Sequence, residues 1–389
     1  MKSEWKTIRA DEFCSLVTDG THDSPKPQAA GRKLITSKHL KGYYLDFESA
    51  NWISSEDYEK VIARSSVEQW DILYSMIGTI GNVYLEKNPV VDYACKNVGI
   101  FKFGGNCNKA YWMYYYLKSP QAMEFIKAHL RGTTQLYVPL ATLREMPVPV
   151  PDEEEMNKIV AILRTLDDKI QCSIKINDNL LRQAQALYKN RFIDLKPFNG
   201  EMPPDWQLGT VSEIIELHDS KRIPLSSRER ANLTKIYPYY GATSVMDYVD
   251  SYLFDGIYLL LGEDGTVVDD KGFPILQYVE GKFWVNNHAH IITGKNGFTV
   301  ETLYLLFSLT NVRSIVTGAV QPKISQANLN NVSVVIPSKA ELSTFNSIVQ
   351  PIFSQIRNLR AESDRLTATR DILLPRLMSG EIDATNIQL

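Results

Sequence analysis

The chain has 389 residues, 44% of them hydrophobic, and a formal net charge of −3 at pH 7. This length and apolar content support two domains of ordinary size with packed cores. No segment approaches twenty consecutive apolar residues, which excludes a membrane-spanning helix.

The N-terminal ten residues carry Lys2, Glu4 and Lys6 and lack the apolar stretch of a signal peptide, so we expect a cytoplasmic protein. The cysteines are scattered and form no CxxC pair, which favours reduced thiols over a zinc site or a disulfide framework. They are Cys14, Cys95, Cys107 and Cys172.

Two basic clusters interrupt a chain that is slightly acidic overall. Because a phosphate responds to the field on one face of a protein, the net charge neither supports nor excludes DNA as a partner. The clusters are Lys26, Arg32, Lys33, Lys38 and Lys41, and Lys221, Arg222, Arg228 and Arg230.

The first globular segment reads as a mixture of strands and helix. Residues 71–78 and 98–103 are short apolar runs bounded by Gly and Asn, and this pattern predicts strands. Residues 111–130 form a stretch long enough for a helix.

A long amphipathic helix is predicted after Pro151. The acidic run 152–155 favours the positive end of the helix dipole, and we expect the helix to stop near Gly200. At about 1.5 Å per residue, a helix of about 36 residues is about 54 Å long. Residues at alternating 3-4 spacing would form its seam: Met156, Ile159, Leu163, Leu166, Ile170, Ser173, Asn177, Leu180, Ala184 and Leu187.

The second half of the chain follows the same order. Residues 256–262 and 290–293 predict strands, and residues 300–309 predict a helix. Six identities then recur at a constant offset of 186 positions, which indicates a tandem duplication. They are Gly132, Gln135, Ala141, Leu143, Val148 and Pro151, matched by Gly318, Gln321, Ala327, Leu329, Val334 and Pro337.

The same offset predicts a second long helix. Ser338 and Glu341 have capping-box spacing at its start, and Gly380 lies near its end. Its seam would be Leu342, Phe345, Val349, Ile352, Ile356, Leu359, Ser363, Leu366, Arg370 and Leu373.

Sustained 3-4 spacing in both helices indicates a coiled-coil seam, so both helices need a partner. Ordinary helices packed on their own domains are the alternative, which the matching second copy disfavours. Asn177 and Ser363 interrupt the two seams at equivalent places. Each could fix the register, or mark where the helices splay or meet a third protein.

Motifs for catalysis are missing from the sequence. It contains no GxxxxGK[ST], GxGxxG, HExxH or GxSxG motif. The run 203–206 (PPDW) does not match the Asn/Asp-Pro-Pro-aromatic motif of adenine methyltransferases, because its acid follows the two prolines. We therefore expect partner proteins to supply any catalysis.

Two acidic pairs and one histidine pair remain as alternative metal sites. The acids 263–264 and 269–270 are expected to be solvated loop residues, because neither pair has a further ligand at suitable spacing. His288 and His290 would share one face of a strand, where a satisfied polar pair is favoured over a metal site.

Three segments carry a family resemblance. Residues 149–163, residues 370–382 and residues 18–25 are similar to the specificity subunit of type I restriction-modification systems. The resemblance implies two target recognition domains, each followed by a conserved helix, with the two helices packed antiparallel as a spacer. The family commonly has Glu-Gln before the Ile-Val run, whereas this chain has Met156 and Leu342 in place of the Gln.

The resemblance also implies the partners. In that family, the subunit reads a bipartite site on double-stranded DNA for two methyltransferase subunits and, in the full complex, two motor-nuclease subunits. S-adenosylmethionine, ATP and Mg²⁺ then belong to those partners, and we expect no cofactor, no metal and no membrane contact here.

The fold class that follows is α+β: two similar β-rich or mixed globular target recognition domains, joined by two long helices that form an antiparallel coiled coil, with pseudo-twofold symmetry. We assign residues 1–150 and 201–337 to the recognition domains. Residues 151–200 form the central spacer helix, and residues 338–389 form the C-terminal spacer helix.

Loop residues with hydroxyl, amide or cationic side chains are the candidates for DNA contact, because these groups bind phosphates and base edges. The alternative for each is a turn shaped by glycine whose polar groups face water. The candidates are Thr21, His22, Lys26, Lys33, Lys38, Arg131, Thr133, Thr134, Gln135, Lys221, Arg222, Tyr240, Thr243, Gln321 and Lys323.

We therefore interpret the chain as a sequence-specific DNA-binding specificity subunit without turnover of its own, which directs adenine methylation and cleavage by its partners. Two alternatives stay open. One is a DNA methyltransferase or nuclease whose motif has diverged, and the other is a coiled-coil adaptor without DNA affinity.

Overall fold

The computed structural model describes residues 5–318, 320–384 and 387. The prediction for the N-terminal ten residues includes residues 1–4, which lie outside the described residues. The same holds for residues 385, 386, 388 and 389 of the C-terminal spacer segment. Within the described residues, no helix combines the length and apolar character that crossing a bilayer requires.

The chain divides into two compact units. Unit 1 comprises Met1–Ser173 with Ala361–Leu389, and unit 2 comprises Ile174–Arg360. Each unit therefore contains one globular region and one half of each long helix.

Unit 1 mixes short strands with helices, in an order that supports the predicted α+β class. Its elements in chain order are β1 (Lys6–Arg9), α1 (Ala10–Phe13), β2 (Leu16–Asp19), β3 (Arg32–Thr36), β4 (Asn51–Ile53), α2 (Ser55–Ser65), β5 (Ile72–Ser75), β6 (Val83–Leu85), β7 (Tyr93–Lys96), β8 (Val98–Lys102), α3 (Cys107–Leu117), α4 (Pro120–Ala128), α5 (Leu140–Glu145), β9 (Pro147–Val150) and the long helix α6 (Glu153–Tyr188), which continues into unit 2.

The strands of unit 1 form three sheets. The largest has the order β2-β8-β5-β6 and is antiparallel throughout. A second sheet has the order β4-β3-β7, in which β3 runs parallel to β7. β1 pairs with β9, so the start of the globular region is joined to its end.

Unit 2 has a similar, but not identical, order of elements. Its elements are β10 (Gln207–Thr210), α7 (Val211–Ile214), β11 (Ile215–Leu217), α8 (Ser227–Ala231), β12 (Tyr237–Tyr240), β13 (Val245–Val249), β14 (Phe254–Gly262), β15 (Leu276–Val285), β16 (Ala289–Gly294), α9 (Val300–Ser308), α10 (Gln326–Asn330), β17 (Ser333–Ile336) and the long helix α11 (Lys339–Met378).

The two units share one topology. The strand order β11-β16-β14-β15 matches β2-β8-β5-β6, and the β10–β17 pair matches β1–β9. The long strand β15 corresponds to β6 and β7 together, because it pairs with β14 along one part and runs parallel to β12 along another. The predicted duplication is confirmed, and the connections differ: α2 follows β4 in unit 1, whereas α8 follows β11 in unit 2.

The long helices pack antiparallel, as predicted. In unit 1, Met156 and Leu163 near the start of α6 share a hydrophobic core with Leu377 near the end of α11. In unit 2, the ring of Tyr188 at the end of α6 lies 5.7 Å from that of Phe345 near the start of α11.

The end of α6 differs from the prediction. The α-helix ends at Tyr188, well before Gly200, and a π-helical turn follows it at Lys189–Ile193. Leu187 is 41% exposed, whereas Tyr188 and Phe192 are buried against Phe345. The aromatic contacts of Tyr188 and Phe192 with Phe345 therefore replace the predicted seam position at Leu187.

A side chain caps the start of each long helix: Ser338, as predicted, for α11, and Asp152, from the predicted acidic run, for α6. The Glu155 amide donates to Asp152 Oδ1 at 2.9 Å, and the Glu341 amide donates to Ser338 Oγ at 3.4 Å. The two glutamate side chains also accept hydrogen bonds from distant groups. Glu155 bonds Trp5 Nε1 and Glu341 bonds Arg191 Nε.

Met156 and Leu342 occupy buried positions in the cores of units 1 and 2, with 7% and 1% exposure. An apolar side chain suits these positions better than a glutamine would, because a buried amide needs hydrogen-bond partners. Core packing therefore accounts for the apolar residues at these two positions.

The single helix predicted over residues 111–130 is wrong. Two helices occupy the region, α3 and α4, with a break at Lys118 and Ser119. The Ser119 side chain accepts from the Ala122 amide, and Pro120 takes the first helical position. A proline disfavours helical backbone in the residue before it, so the chain starts a new helix there.

Candidate nucleic-acid interface

In unit 2, the loops at one end of the main sheet lie together. The strand directions bring the loop after β11, the loop after β14 and the β15–β16 connection to the same end. The Glu263 amide donates to the His288 carbonyl at 2.8 Å, and the Gly265 amide donates to the Pro322 carbonyl at 3.0 Å. The hairpin 317–323 therefore joins this loop cluster.

Unit 1 has the same loop cluster. The Asn97 amide donates to the Thr21 carbonyl at 3.1 Å, which joins the loop after β2 to the β7–β8 connection. The Val138 amide donates to the Met76 carbonyl at 2.8 Å, in the same way that the Ile324 amide donates to the Glu263 carbonyl. Met76 and Glu263 are thus equivalent positions, and hairpin 131–137 corresponds to hairpin 317–323.

These two hairpins explain two of the repeated identities. In each hairpin, the backbone at the glycine has a positive φ, +94° at Gly132 and +88° at Gly318. A Cβ there would lie 2.3 Å or 2.2 Å from the carbonyl oxygen of the following Gln135 or Gln321. Only glycine fits this turn, and it leaves the glutamine side chain exposed at the tip.

Most of the residues predicted to contact DNA are exposed in these loops or close to them in the sequence. The exposed residues are His22, Lys26, Lys38, Arg131, Thr133, Thr134, Gln135, Lys221, Thr243, Gln321 and Lys323.

The remaining predicted residues are engaged within the protein. Thr21 is buried, and its hydroxyl accepts from the Asp23 amide at 3.1 Å. Lys33 donates to the Ala50 carbonyl at 2.7 Å and lies 4.1 Å from the centre of the Trp52 ring. Tyr240 is half-buried, with its ring edge-on to Phe283.

Arg222 is the last of the engaged residues, and its guanidinium donates hydrogen bonds to three segments of unit 2. Its side chain is 13% exposed and bonds Glu263 Oε2 at 2.6 Å, the Ala289 carbonyl at 2.8 Å and the Asp219 carbonyl at 3.1 Å. Lys323 Nζ lies 3.2 Å from the other carboxylate oxygen of Glu263.

The expectation that Glu263 and Asp264 are solvated loop acids is wrong. Two cations cover Glu263, whose side chain is 12% exposed, and Asp264, 18% exposed, is bonded to His288. Burial opposes ionisation, but the bond from Arg222 and the charge of His290 outweigh it and hold the pKa of Glu263 below its ordinary value. Asp269 and Asp270 are exposed, as expected.

The two histidines are satisfied, as expected, but they do not share a face of one strand. His288 lies before β16, and its Nδ1 is bonded to Asp264. His290 is fully buried in β16, with Nδ1 2.6 Å from Asp219 Oδ2 and Nε2 2.8 Å from the Ile324 carbonyl.

Asp219 completes the cluster of charged side chains. Its carboxylate also accepts from the Ile291 amide at 2.9 Å and from Gln326 Nε2 at 2.5 Å. Burial would raise the pKa of Asp219, but the hydrogen bond from His290 and the other donors outweigh burial and lower it. A carbonyl oxygen only accepts, so His290 Nε2 carries a proton.

A metal ion fits this cluster poorly. Asp219, Glu263 and His290 offer ligand atoms within 4.8 Å of one another. A cation there would have to break the hydrogen bond between His290 and Asp219, and the Arg222 guanidinium, which contacts both carboxylates, would repel it. These groups instead form an ion-pair network.

In unit 1, the equivalent positions carry other chemistry. Met76 occupies the position equivalent to Glu263. Gly99 occupies the position equivalent to His290, because Gly99 pairs with Tyr74 in the same register in which His290 pairs with Leu261. Asp19 forms an ion pair with Arg64 at 2.8 Å, and its other carboxylate oxygen lies 3.1 Å from His22 Nε2. Arg64 was missed at the sequence level, because nothing in the local pattern of α2 points to a partner 45 residues away.

Comparisons with known proteins agree with this architecture. The family model described as the type I restriction modification DNA specificity domain matches residues 2–182 and again residues 203–368. The chain is 26% identical over 376 residues to the type I restriction enzyme MjaIX specificity subunit of Methanocaldococcus jannaschii, covering 90% of this chain and 86% of that one.

Two further relatives are similar over most of the chain. The type I restriction enzyme HindI specificity subunit of Haemophilus influenzae is 21% identical over 414 residues, covering 82% of this chain and 88% of its own length. The crystal structure of the type I restriction-modification S subunit from M. genitalium has the same fold, with a TM-score of 0.58 at 17% identity and 96% coverage of both chains. Because the family model matches both halves, the chain belongs to the family of type I restriction-modification specificity subunits.

Proposed function

We propose that the chain reads a two-part target on double-stranded DNA, one part with each unit, and so selects the adenines that partner subunits methylate. The observation that carries this proposal is the repeated loop cluster: one framework presents corresponding loops with different side chains in the two units. Variable loops on a constant framework are typical of surfaces that recognise different ligands.

The exposed residues of the loop clusters are the proposed DNA contacts. Gln135 and Gln321 sit on matching hairpins, where an amide can pair with the edge of an adenine. Arg131, Lys221 and Lys323 supply cations for phosphates. Residues 1–150 and 201–337 are then the two target recognition domains, and the long helices are the spacer between them.

The partners follow from the family. Two methyltransferase subunits with S-adenosylmethionine would modify the selected adenines, and two motor-nuclease subunits with ATP and Mg²⁺ would cleave unmodified DNA. The chain itself carries out no turnover in this proposal. Action on chromosomal DNA would place it in the cytoplasm of its host.

Methylation mapping tests the proposal. The chain is co-expressed with its methyltransferase subunit, and methylated adenines are located across the host genome. We expect one two-part sequence with a fixed gap, absent when the chain is omitted. Methylation at a single undivided site would contradict the proposal, as would methylation or cleavage by the purified chain alone.

A further inference from the structure

We propose that Arg222 is a positioning residue for recognition of the half-site read by unit 2, and that it acts through Glu263, Asp219 and His290 without touching DNA. This inference rests on the proposed function, since it assigns a role within the DNA-reading loops. It separates Arg222 from the exposed cations beside it.

Three segments meet at the Arg222 guanidinium. Nη1 donates to Glu263 Oε2 in the loop after β14 and to the Ala289 carbonyl at the start of β16, while Nε donates to the Asp219 carbonyl after β11. A planar guanidinium with several donors in fixed directions can join three segments in this way, whereas a lysine ammonium cannot reproduce the same geometry.

Hydrogen bonds also fix the side chains of Asp219 and His290 next to the guanidinium. His290 is fully buried between Asp219 and the Ile324 carbonyl, and Ile324 follows hairpin 317–323 directly. Gln326 Nε2 reaches the same Asp219 carboxylate. The network therefore connects the loop after β11, the loop after β14, the β15–β16 connection and the hairpin that carries Gln321.

Lys221 provides a matched contrast with Arg222. The two cations are neighbours, but the Lys221 side chain is exposed at the end of a 3-10 turn, and no partner for its ammonium group is found among the described residues. A cation that neutralises a phosphate releases counterions, so each such contact adds about 0.9 to the salt dependence of binding. A buried cation already paired with carboxylates adds nothing.

The experiment measures binding of the full chain with its methyltransferase partners to the duplex identified by methylation mapping. Affinity is followed by fluorescence anisotropy at several salt concentrations, for the intact duplex and for duplexes altered in one half-site at a time. The variants are Arg222→Lys, Arg222→Gln, Glu263→Gln and the control Lys221→Gln.

We expect both Arg222 variants to lose at least tenfold discrimination at the half-site read by unit 2, with the slope of log K against log salt unchanged. Glu263→Gln should lose the same discrimination. Removing an acid from a DNA-facing region would otherwise strengthen binding, so weakened recognition here points to positioning. Lys221→Gln should keep the discrimination and lower the slope by about 0.9.

Intact discrimination of the unit 1 half-site shows that unit 1 is folded in every variant, and a thermal unfolding profile that matches the wild type shows the same for unit 2. A slope lowered by about one unit in Arg222→Gln would overturn the inference and make Arg222 a phosphate contact. Unchanged discrimination in Arg222→Lys and Glu263→Gln would also overturn it. If the wild-type complex fails to discriminate either half-site, the proposed function itself fails, which is a different result.

Discussion

Asp167 and Arg370 form a buried ion pair between the two long helices in unit 1. Arg370 Nη1 lies 2.8 Å from Asp167 Oδ1, and the exposures of the two residues are 8% and 2%. The Tyr43 hydroxyl donates to the same carboxylate oxygen at 3.0 Å, so a loop of the globular region is tied to the helices. Arg370 also pairs with Asp371, whose side chain is 59% exposed.

This arrangement predicts unequal costs for two similar substitutions. Asp167→Ala leaves a buried guanidinium without its main partner and should lower the free energy of unfolding by about 3–5 kcal/mol. Asp371→Ala removes an exposed pair and should cost at most about 1 kcal/mol. Urea unfolding of both variants measures the difference, and equal losses would contradict the interpretation.

Asp71 is the residue that predicts a pH dependence. It is 2% exposed, and burial raises its pKa to about 6 even though Lys102 Nζ lies 3.2 Å away. The folded state therefore holds this proton more tightly than the unfolded state, whose carboxyl has a pKa of about 4. The contribution to stability is full below pH 4 and is lost as the pH rises to about 6.

We expect the free energy of unfolding of the wild type, measured relative to Asp71→Asn, to fall by up to about 3 kcal/mol between pH 4 and pH 6. Urea titrations of both proteins at half-unit pH steps measure this difference. A difference that stays flat, or that rises with pH, would show that Asp71 is charged in the folded protein throughout the range.

At the scale of elements, the two long helices have the same sequence of contacts at their starts, and the seam between them contains both apolar and polar side chains. A capping side chain, a glutamate that reaches a distant donor and a buried apolar residue follow one another in each helix. Further along, the hydroxyls of Ser173 and Ser363 and the amide oxygen of Asn177 are buried without hydrogen-bond partners among the described residues. Such groups reduce stability.

Two serine substitutions in α11 test how much the buried Ser363 hydroxyl lowers the free energy of unfolding. Ser363→Ala removes it, and Ser347→Ala makes the same change at an exposed position of α11. Both gain helix propensity, and water can replace the 2.7 Å bond that the exposed Ser347 hydroxyl donates to the Thr344 carbonyl, so the difference reports on the buried group. We expect Ser363→Ala to stabilise by about 1 kcal/mol more than Ser347→Ala in thermal unfolding. A smaller gain in Ser363→Ala would indicate that its hydroxyl is satisfied.

At the scale of the whole molecule, duplication has preserved a framework and allowed its connections to change. Both units use the same antiparallel strand order and the same terminal strand pair. The ion pairs in the loop clusters differ: Asp19 pairs with Arg64 in unit 1, whereas Asp219 pairs with His290 in unit 2. In the proposed function, these differences allow each unit to specify its own target while both keep one fold.

This independence predicts the result of an exchange. Replacing residues 1–150 with the equivalent segment of a relative should change one half-site in methylation mapping and leave the other unchanged, because each loop cluster is held by contacts within its own unit. The reverse exchange of residues 201–337 serves as the control. A change in both half-sites after either exchange would refute the prediction.

The long helices predict a second result at this scale. Inserting seven residues into α6 adds about 10 Å of helix at about 1.5 Å per residue. We expect the gap between the half-sites to change while both half-site sequences stay the same. Methylation mapping of the insertion variant measures the gap, and an unchanged gap would show that the helices do not set it.

The helices, the strand order and the duplication could be predicted from the sequence, because each depends on a periodic or local signal. The 3-4 spacing from Met156 onward located both helices through their common offset, and the glycine of each hairpin was detectable as an identity. The break before Pro120 and the end of α6 at Tyr188 were missed, since a local cap and an aromatic contact outweighed the periodic pattern there.

Only the tertiary structure decided which charged side chains are free for a ligand. Lys221 and Arg222 are neighbours in sequence with the same charge, yet one is exposed and the other joins three loops. The register of β14 and β16 brings His290 and Glu263 to Asp219, although more than 40 residues separate Asp219 from either of them. Contacts of this kind depend on strand pairing between distant segments, which no local pattern in a single sequence specifies.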